Sequence, residues 1–367
     1  MSPRTKLWPL DEHTLGKHLV LRSYLEAWLP IMSKYNQRLL IIDGFAGPGE
    51  YAGGEPGSPI IALDALIEHT YKGMIRQKVT FYFIEQDTKR CEHLDGLIKQ
   101  KYPFLPDNII VRIINGNFDK TMSEVLQAID DQNKRLAPCF AMIDPFGVSH
   151  TPMSIMTKLL KNPSSEVYVS FMYSHINRFK SSKEFQPHLN ELFGDTAWQK
   201  GLQISDQKTR KNFFYQHYKY QLKQSGAEHV VYFELYRGNS LVYAIFFATK
   251  HLKGCDKMKQ AIWKIALEGD LKFKGTHSEE LSLTVDANFT ILQQALANEF
   301  STKQWVTIEE IQDYVASDFC DFHTSHTKSK ALKPLEINRS LIVNENTRNR
   351  KNTYPKGTLI YFVTVGT

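Results

Sequence analysis

The chain has 367 residues, 42% hydrophobic and 23% charged, which is enough apolar material for a folded core and excludes a disordered sequence. Its formal net charge of +6 permits an anionic partner without requiring one, and the basic excess is concentrated after Asp321. No apolar run approaches the roughly 20 residues that span a bilayer, no secretory signal is visible, and the four dispersed cysteines form no disulfide framework. We therefore expect a cytoplasmic protein that does not contact a membrane.

The first half of the chain alternates short hydrophobic runs with amphipathic stretches. Periodicity predicts a first helix over residues 15–32. It then predicts strands at 38–43, 79–85, 108–114, 138–144 and 166–171, with helices at 57–69, 87–101, 119–132 and 152–160. Continuously hydrophobic strands are typical of parallel strands that are covered on both faces. The pattern therefore predicts an α/β fold with a doubly wound sheet.

The remainder of the chain follows a different pattern. Residues 174–226 predict a helical insertion, and the β-rich runs 230–236 and 241–249 flank a Gly-Asn turn that predicts a hairpin. Parallel strands that end in an antiparallel hairpin resemble the Rossmann-like class I methyltransferases, which use S-adenosylmethionine. Helices at 288–300, 307–316 and 328–336, followed by a basic hairpin, resemble a winged helix. We expect an N-terminal helical segment (1–36), a methyltransferase-like domain (37–274) and a winged-helix-like domain (275–367).

The first strand runs into a turn that contains three glycines. This turn reads Asp43-Gly44-Phe45-Ala46-Gly47-Pro48-Gly49, and it lies where open α/β sheets bind cofactors. The dinucleotide pattern G-x-G-x-x-G is absent, and no Gly-Lys-Ser/Thr follows to make a P-loop. We predict that Asp43, Gly44, Phe45, Gly47 and Gly49 bind S-adenosylmethionine, with the three glycines receiving its methionine portion. The alternative is a tight turn without a ligand.

Polar residues also follow the second and third strands. Glu85 can accept both hydroxyl hydrogens of a ribose, a feature shared by NAD and S-adenosylmethionine sites. Its neighbour Asp87 is equally suited to capping the next helix. Asn117 and Phe118 can contact adenine through an amide and an aromatic face, although a plain turn explains them equally well.

The fourth strand ends in Asp144-Pro145-Phe146-Gly147. This sequence resembles the (D/N)PP(Y/F) motif of amino-group methyltransferases, but Phe146 replaces the second proline and Gly147 the aromatic residue. Asp144 would orient the acceptor and Phe146 would stack on a flat base; the alternative is a turn that packs Phe146 into the core. Methyl transfer is an in-line displacement that needs alignment and no metal, and no metal site is predicted.

Five further residues are candidates for contacting the substrate. His175 and Arg178 follow the fifth strand on the acceptor side of such a pocket. Arg348, Arg350 and Lys351 lie in the basic C-terminal hairpin, where a wing contacts phosphates. A hydrogen-bonded core histidine and a solvated hairpin tip are the competing interpretations.

Together these motifs resemble the three-Cys-motif partner protein (TcmP) family. The matching segments are Lys17-His18, 24–28, 43–49, Gly57-Ser58-Pro59, 83–85, 144–147, 247–251 with Gly254 and Met258, and Tyr354-Pro355 with Gly357. The resemblance implies a class I methyltransferase-like fold and a bacterial or phage setting. It also implies a partner protein with three cysteines that resembles a radical S-adenosylmethionine enzyme. The family's name describes that association and not a reaction.

Three hypotheses follow from the sequence. The first is an S-adenosylmethionine-dependent methyltransferase that acts on nucleic acid or a nucleic-acid-linked amine. The second is a module with the same scaffold that binds nucleic acid or the three-cysteine partner without catalysis. The third, an NAD-linked oxidoreductase, is disfavoured by the terminal hairpin and by the missing G-x-G-x-x-G pattern.

Overall fold

The computed structural model describes residues 5–266, 271–274 and 287–363. The chain divides into two compact units, one formed by Met1–His251 with Phe273–His277 and the other by Leu252–Lys272 with Ser278–Thr367. Within the described ranges, no helix combines the length and the apolar character needed to cross a membrane.

A mostly parallel sheet forms the centre of the first unit. Its strands are β1 (Arg38–Asp43), β2 (Lys78–Glu85), β3 (Ile109–Asn115), β4 (Cys139–Ile143), β5 (Glu166–Phe171), β6 (His229–Arg237), β7 (Ser240–Thr249) and the two-residue β8 (Lys272–Phe273). Their order is β3-β2-β1-β4-β5-β7-β6-β8. Strands β1 to β5 pair in parallel, whereas β7 is antiparallel to both β5 and β6. This is the class I methyltransferase fold. The fold prediction is confirmed.

Helices surround this sheet. They are α1 (Glu12–Ser33), α2 (Ser58–Ile67), α3 (Thr88–Lys101), α4 (Phe118–Asp131), α5 (Met153–Lys161), α6 (Tyr173–Phe179), α7 (Gln186–Phe193) and α8 (Gln207–Gln224). The segment 174–226 is helical, as predicted, with a 3-10 turn at Ala197–Gln203 before α8. β1 is buried along all but its first residue and β5 along its full length, as expected for strands that are covered on both faces.

The first residue of β5 is a buried carboxylate. Glu166 is 3% exposed and accepts hydrogen bonds from the Tyr24 hydroxyl at 2.6 Å and the Thr249 hydroxyl at 2.7 Å. Burial raises the pKa of Glu166 to about 7, against an ordinary value of 4.5, although both hydrogen bonds oppose that rise. The protonated form is therefore favoured in the folded state.

We expect this carboxylate to make stability depend on pH. Because the folded pKa lies above the unfolded value, the contribution of Glu166 is fully present below pH 4.5 and is lost as the pH rises to about 7. The wild type should lose on the order of 1–3 kcal/mol of unfolding free energy as the pH rises across that window. The Glu166→Gln variant, which cannot ionise there, should not show this loss. Urea titrations of both proteins at several pH values measure it, and parallel pH curves would contradict it.

The second unit contains the remaining elements. They are α9 (Leu252–Trp263), α10 (Thr290–Phe300), α11 (Ile308–Ala316), the continuous helical run α12 at 324–337, β9 (Val306–Thr307), β10 (Leu341–Val343) and β11 (Leu359–Phe362). The three strands form an antiparallel sheet in the order β10-β11-β9. A separate hydrophobic core, which includes Leu296, Ile311 and Ile360, packs inside this unit. The winged-helix assignment stays a prediction.

Candidate functional site

Two adjoining cavities lie at the carboxyl edge of the sheet in the first unit. The first has a volume of about 330 Å³ and is lined by residues of the glycine-rich turn and of the segment after β4, together with residues 8–17. The second, of about 310 Å³, lies beside the ends of β2 and β3. Phe45, Pro145 and Phe146 line both cavities. Open α/β sheets bind their ligands at this edge.

The glycine-rich turn is closely packed. Gly47 and Gly49 have φ angles of +63° and +86°, a region that L side chains rarely adopt. A Cβ atom on Gly49 would lie 2.5 Å from the side chain of Leu94, and one on Gly44 would lie 2.5 Å from the ring of Phe118. Larger residues would therefore strain the backbone at Gly47 and Gly49 and displace packed side chains at Gly44 and Gly49, and Gly47 and Gly49 line the first cavity.

Asp43 supports this turn from below. It is 2% exposed, lines neither cavity, and accepts a hydrogen bond from the Phe45 amide at 3.1 Å. Burial raises the pKa of Asp43 to about 7. The structure thus places Asp43 where it holds the turn and not where it would touch a ligand in either cavity.

Glu85 fastens the turn to the end of β2. One carboxylate oxygen accepts from the Gly47 amide at 2.9 Å and the other from the Asp87 amide at 2.8 Å. Since each carboxylate oxygen can accept two hydrogen bonds, one acceptor position on each stays open toward hydroxyl donors. Glu85 lines the second cavity. Asp87 caps α3 by accepting from the Arg90 amide at 3.0 Å, which is the capping role considered from the sequence.

The wall opposite Glu85 comes from the start of α4. Asn117 is exposed, lines the second cavity, and makes no side-chain cap bond to its helix. Phe118 also lines this cavity but is only 1% exposed, and its ring centroid lies 5.5 Å from that of Phe45. Phe118 is therefore mainly a core residue whose edge contributes to the wall.

Asp144 belongs to a polar cluster in the first cavity. Its carboxylate forms an ion pair with Lys17 of α1 and accepts a hydrogen bond from the Ser170 hydroxyl. The Lys17 side chain is 6% exposed and that of Asp144 is 25% exposed. Burial alone would lower the pKa of Lys17, but the charge and hydrogen bond of Asp144, together with the nearby Tyr243 and Tyr51, raise that pKa well above its ordinary value. Lys17 therefore keeps its positive charge although it is buried.

Sequence reasoning assigned no role to Lys17, although it falls within a matching TcmP segment. A signal was available, because helical spacing places Lys17 on the same face of α1 as Leu21 and Leu25, which are buried. A lysine on a buried helix face needs a partner with opposite charge. Asp144 is that partner.

Aromatic side chains form the rim of the first cavity. Phe146 is 45% exposed, and its ring meets Trp8 edge-on at 5.8 Å. Trp8 also meets Tyr51 edge-on at 6.0 Å, and Tyr243 lines the same cavity. Burial raises the pKa of Tyr51 to about 12, so its hydroxyl keeps its proton at neutral pH. Among these residues, only Phe146 was predicted from the sequence.

The remaining predicted substrate residues lie in different environments. His175 lines the first cavity, and burial lowers its pKa. Arg178 lies one helical turn further along α6 and is exposed. In the second unit, Arg350 and Lys351 are exposed as predicted for a hairpin tip. Their proposed phosphate contacts stay predictions.

Arg348 is not part of that exposed tip. Its side chain is 1% exposed and donates to both carboxylate oxygens of Glu336, at 2.9 and 2.6 Å, and to those of Glu345. Tyr354 donates to the same Glu336 at 2.5 Å. The sequence-based prediction of a phosphate contact is therefore wrong for Arg348, because two carboxylates already occupy its buried guanidinium.

We expect Arg348→Met to destabilise the second unit by about 1–3 kcal/mol, since it leaves Glu336 without its main cationic partner. Arg350→Met, which changes the same charge at an exposed position two residues away, should stay within about 0.5 kcal/mol. Chemical denaturation of both full-length variants measures this difference. Equal losses would contradict the structural role of Arg348.

Comparisons with known proteins returned structural matches alone, since neither a family model nor a curated protein matches the sequence. Trm1 from Pyrococcus horikoshii, in complex with S-adenosyl-L-methionine, matches with a TM-score of 0.42 and 8% identity, over 98% of this chain and 93% of that one. Human methyltransferase-like protein 13, in complex with SAH, matches with a TM-score of 0.37 and 11% identity, over 69% of this chain and 92% of that one. The O-methyltransferase from Bacillus cereus, also in complex with SAH, matches with a TM-score of 0.32 and 13% identity, over 62% of this chain and 80% of that one. Matches this distant do not identify an activity.

Proposed function

We propose that the chain is an S-adenosylmethionine-dependent methyltransferase that acts on nucleic acid or a nucleic-acid-linked amine. The observation that carries this proposal is the pair of adjoining cavities on either side of Phe45 and Phe146. The first offers the glycine backbone of the turn, and the second offers Glu85 beside an exposed amide. A nucleoside joined to an amino acid has these two parts.

The residues present fit such a cofactor. Gly47 and Gly49 line the first cavity and would present backbone to the methionine portion, while the close packing of Gly49 against Leu94 fixes the path of the turn. Glu85 retains open acceptor positions for the ribose hydroxyls, and Asn117 has an uncommitted amide for the adenine edge. When bound, S-adenosylmethionine would supply an electrophilic methyl group.

The chain's own part in the reaction would be alignment and charge. Asp144 would accept a hydrogen bond from an amine N–H of the acceptor, which directs the nitrogen lone pair toward the methyl group. Lys17 holds the Asp144 carboxylate in place, and the exposed ring of Phe146 would pack against a flat acceptor. Asp144 would also accept the surplus proton of the acceptor nitrogen after transfer.

Isothermal titration with S-adenosylmethionine, followed by competition with S-adenosylhomocysteine, tests the cofactor. Saturable heat that the competitor abolishes supports the proposal, and the absence of both overturns it. Transfer of a tritiated methyl group onto total RNA, DNA and protein fractions tests the acceptor. Label in the protein fraction alone would overturn the nucleic-acid assignment.

The TcmP resemblance supports a finer proposal. We propose that the chain belongs to this family and works with a protein that bears three cysteines, on the strength of the matching segments along the sequence. In the same proposal the second unit is a winged-helix-like module that contacts nucleic acid through Arg350 and Lys351. Co-purification of a tagged chain from its native host, with and without nuclease treatment, tests for both partners.

A non-catalytic binding module is the second candidate. The observation in its favour is that both oxygens of Asp144 already have partners, Lys17 and Ser170. Under this alternative the ion pair only stabilises the first cavity. Methyl transfer that survives substitution of Asp144 would favour the binding module over the reaction proposed above.

A further inference from the structure

Helix α6 carries side chains outward from the first cavity. His175 lines that cavity, and the ring of Phe179, one turn later on the same helix face, lies 6.4 Å from it between centroids. Arg178 and Lys180 flank Phe179 in the chain, and Arg210 of α8 lies beside them. We call Arg178, Phe179, Lys180 and Arg210 the α6 ledge.

Three cations meet on the α6 ledge without neutralisation. Lys180 donates to the backbone carbonyl of Asn177 at 2.6 Å, and Arg210 donates to the side-chain oxygen of the same residue at 3.0 Å. Burial, and then the charge of Arg210, lowers the pKa of Lys180. Across the ranges 5–266, 271–274 and 287–363, no carboxylate forms an ion pair with Arg178, Lys180 or Arg210. These hydrogen bonds go to neutral oxygens and leave the positive charges in place, and clustered positive charge attracts anions.

The ledge also presents an aromatic surface. Phe179 is 40% exposed, and its ring is supported from behind by Phe185 at 5.1 Å. The guanidinium of Arg178 lies 5.9 Å from the centroid of the Phe179 ring. An exposed ring held in place beside cations is the combination with which proteins bind single strands, by stacking a base while contacting phosphates. Bases inside a duplex are already stacked and cannot reach such a ring.

We propose that the α6 ledge binds single-stranded nucleic acid and directs it toward the first cavity. Phosphates would contact Arg178, Lys180 and Arg210, and one base would stack on Phe179. His175 then lies between the ledge and the cavity, on the route of the strand. The proposal deepens the proposed function and rests on it for the reaction, but strand binding itself requires no methyl transfer.

Fluorescence anisotropy with labelled single-stranded RNA, single-stranded DNA and duplex DNA tests the ledge, at several salt concentrations and without cofactor. The Arg178→Gln/Lys180→Gln double variant should weaken single-strand binding by about tenfold or more and flatten its salt dependence. Phe179→Ala should weaken it by at least about fivefold. The conservative Arg178→Lys/Lys180→Arg variant should keep most of the affinity, which separates loss of charge from misfolding.

The matched control is Lys134→Gln/Arg135→Gln. These two exposed cations precede β4 and so lie at the amino edge of the sheet, opposite the cavities. This control should bind within about twofold of the wild type. A control that loses as much affinity as the ledge variant, or duplex DNA that binds as tightly as single strands, overturns the proposal.

The two proposals fail separately. If the protein does not bind S-adenosylmethionine but its ledge variants lose single-strand binding, the ledge proposal is supported and the methyltransferase proposal is overturned. If the protein binds the cofactor and every ledge variant keeps the wild-type affinity for single strands, the ledge proposal is overturned and the cofactor proposal is supported.

Discussion

Asp144→Asn should reduce methyl transfer by at least about 100-fold and leave S-adenosylmethionine affinity within about twofold. Asparagine keeps the shape of the side chain but removes the charge that would hold the acceptor amine. Asp144 lines the first cavity and is absent from the lining of the second, so the nucleoside portion of the cofactor should bind as before. Single-turnover transfer and isothermal titration measure the two quantities on the same preparation.

The same substitution leaves Lys17 buried without its carboxylate, which costs about 3–5 kcal/mol for a fully buried pair and less here because Asp144 is 25% exposed. The double variant Lys17→Met/Asp144→Asn removes both charges and serves as the control. We expect it to recover much of the lost stability and to remain inactive. Recovery of activity with the fold would mean that Asp144 acts only as a structural counter-ion.

Gly49→Ala should lower S-adenosylmethionine affinity by about 100-fold or more. The new Cβ would lie 2.5 Å from Leu94 Cδ1, and the φ of +86° adds backbone strain of about 1–2 kcal/mol. Because Leu94 is fully buried, the turn must move instead, and it takes the Gly47 amide with it. Titration calorimetry measures the affinity.

Gly54→Ala is the matched control for this substitution. Gly54 has a φ of +83°, yet a Cβ placed there meets nothing within 4 Å. It therefore imposes the same strain without the collision, and cofactor affinity should stay within about threefold. Equal losses in the two variants would show that strain, and not the space around Gly49, controls the site.

Local sequence patterns predicted the fold because strand burial and helix periodicity both depend on residues that are close together in the sequence. The predicted strand at 38–43 coincides with β1, and the Gly-Asn turn correctly predicted the hairpin of β6 and β7. The rim of the first cavity could not be predicted in this way. Trp8, Lys17 and Tyr243 come from widely separated parts of the chain, and only the folded sheet brings them together.

Charge in the C-terminal hairpin illustrates a second limit of the sequence. Arg348 and Arg350 look equivalent in the run Arg-Asn-Arg-Lys, but one is buried between two glutamates and the other is exposed. Glu336 lies twelve positions before Arg348, so spacing alone gave no reason to pair them. A charged side chain can be assigned to a ligand only after its partners within the protein are known.

The two cavities draw on different parts of the chain. Residues 8–17 contribute Trp8, Asp11, His13, Thr14 and Lys17 to the first cavity, whereas the second takes nothing before Gly44. Under the proposed function, substitutions in this leading segment would change which molecule is modified while the second cavity stays intact. Related chains that diverge mainly before β1 should share one cofactor and differ in their targets.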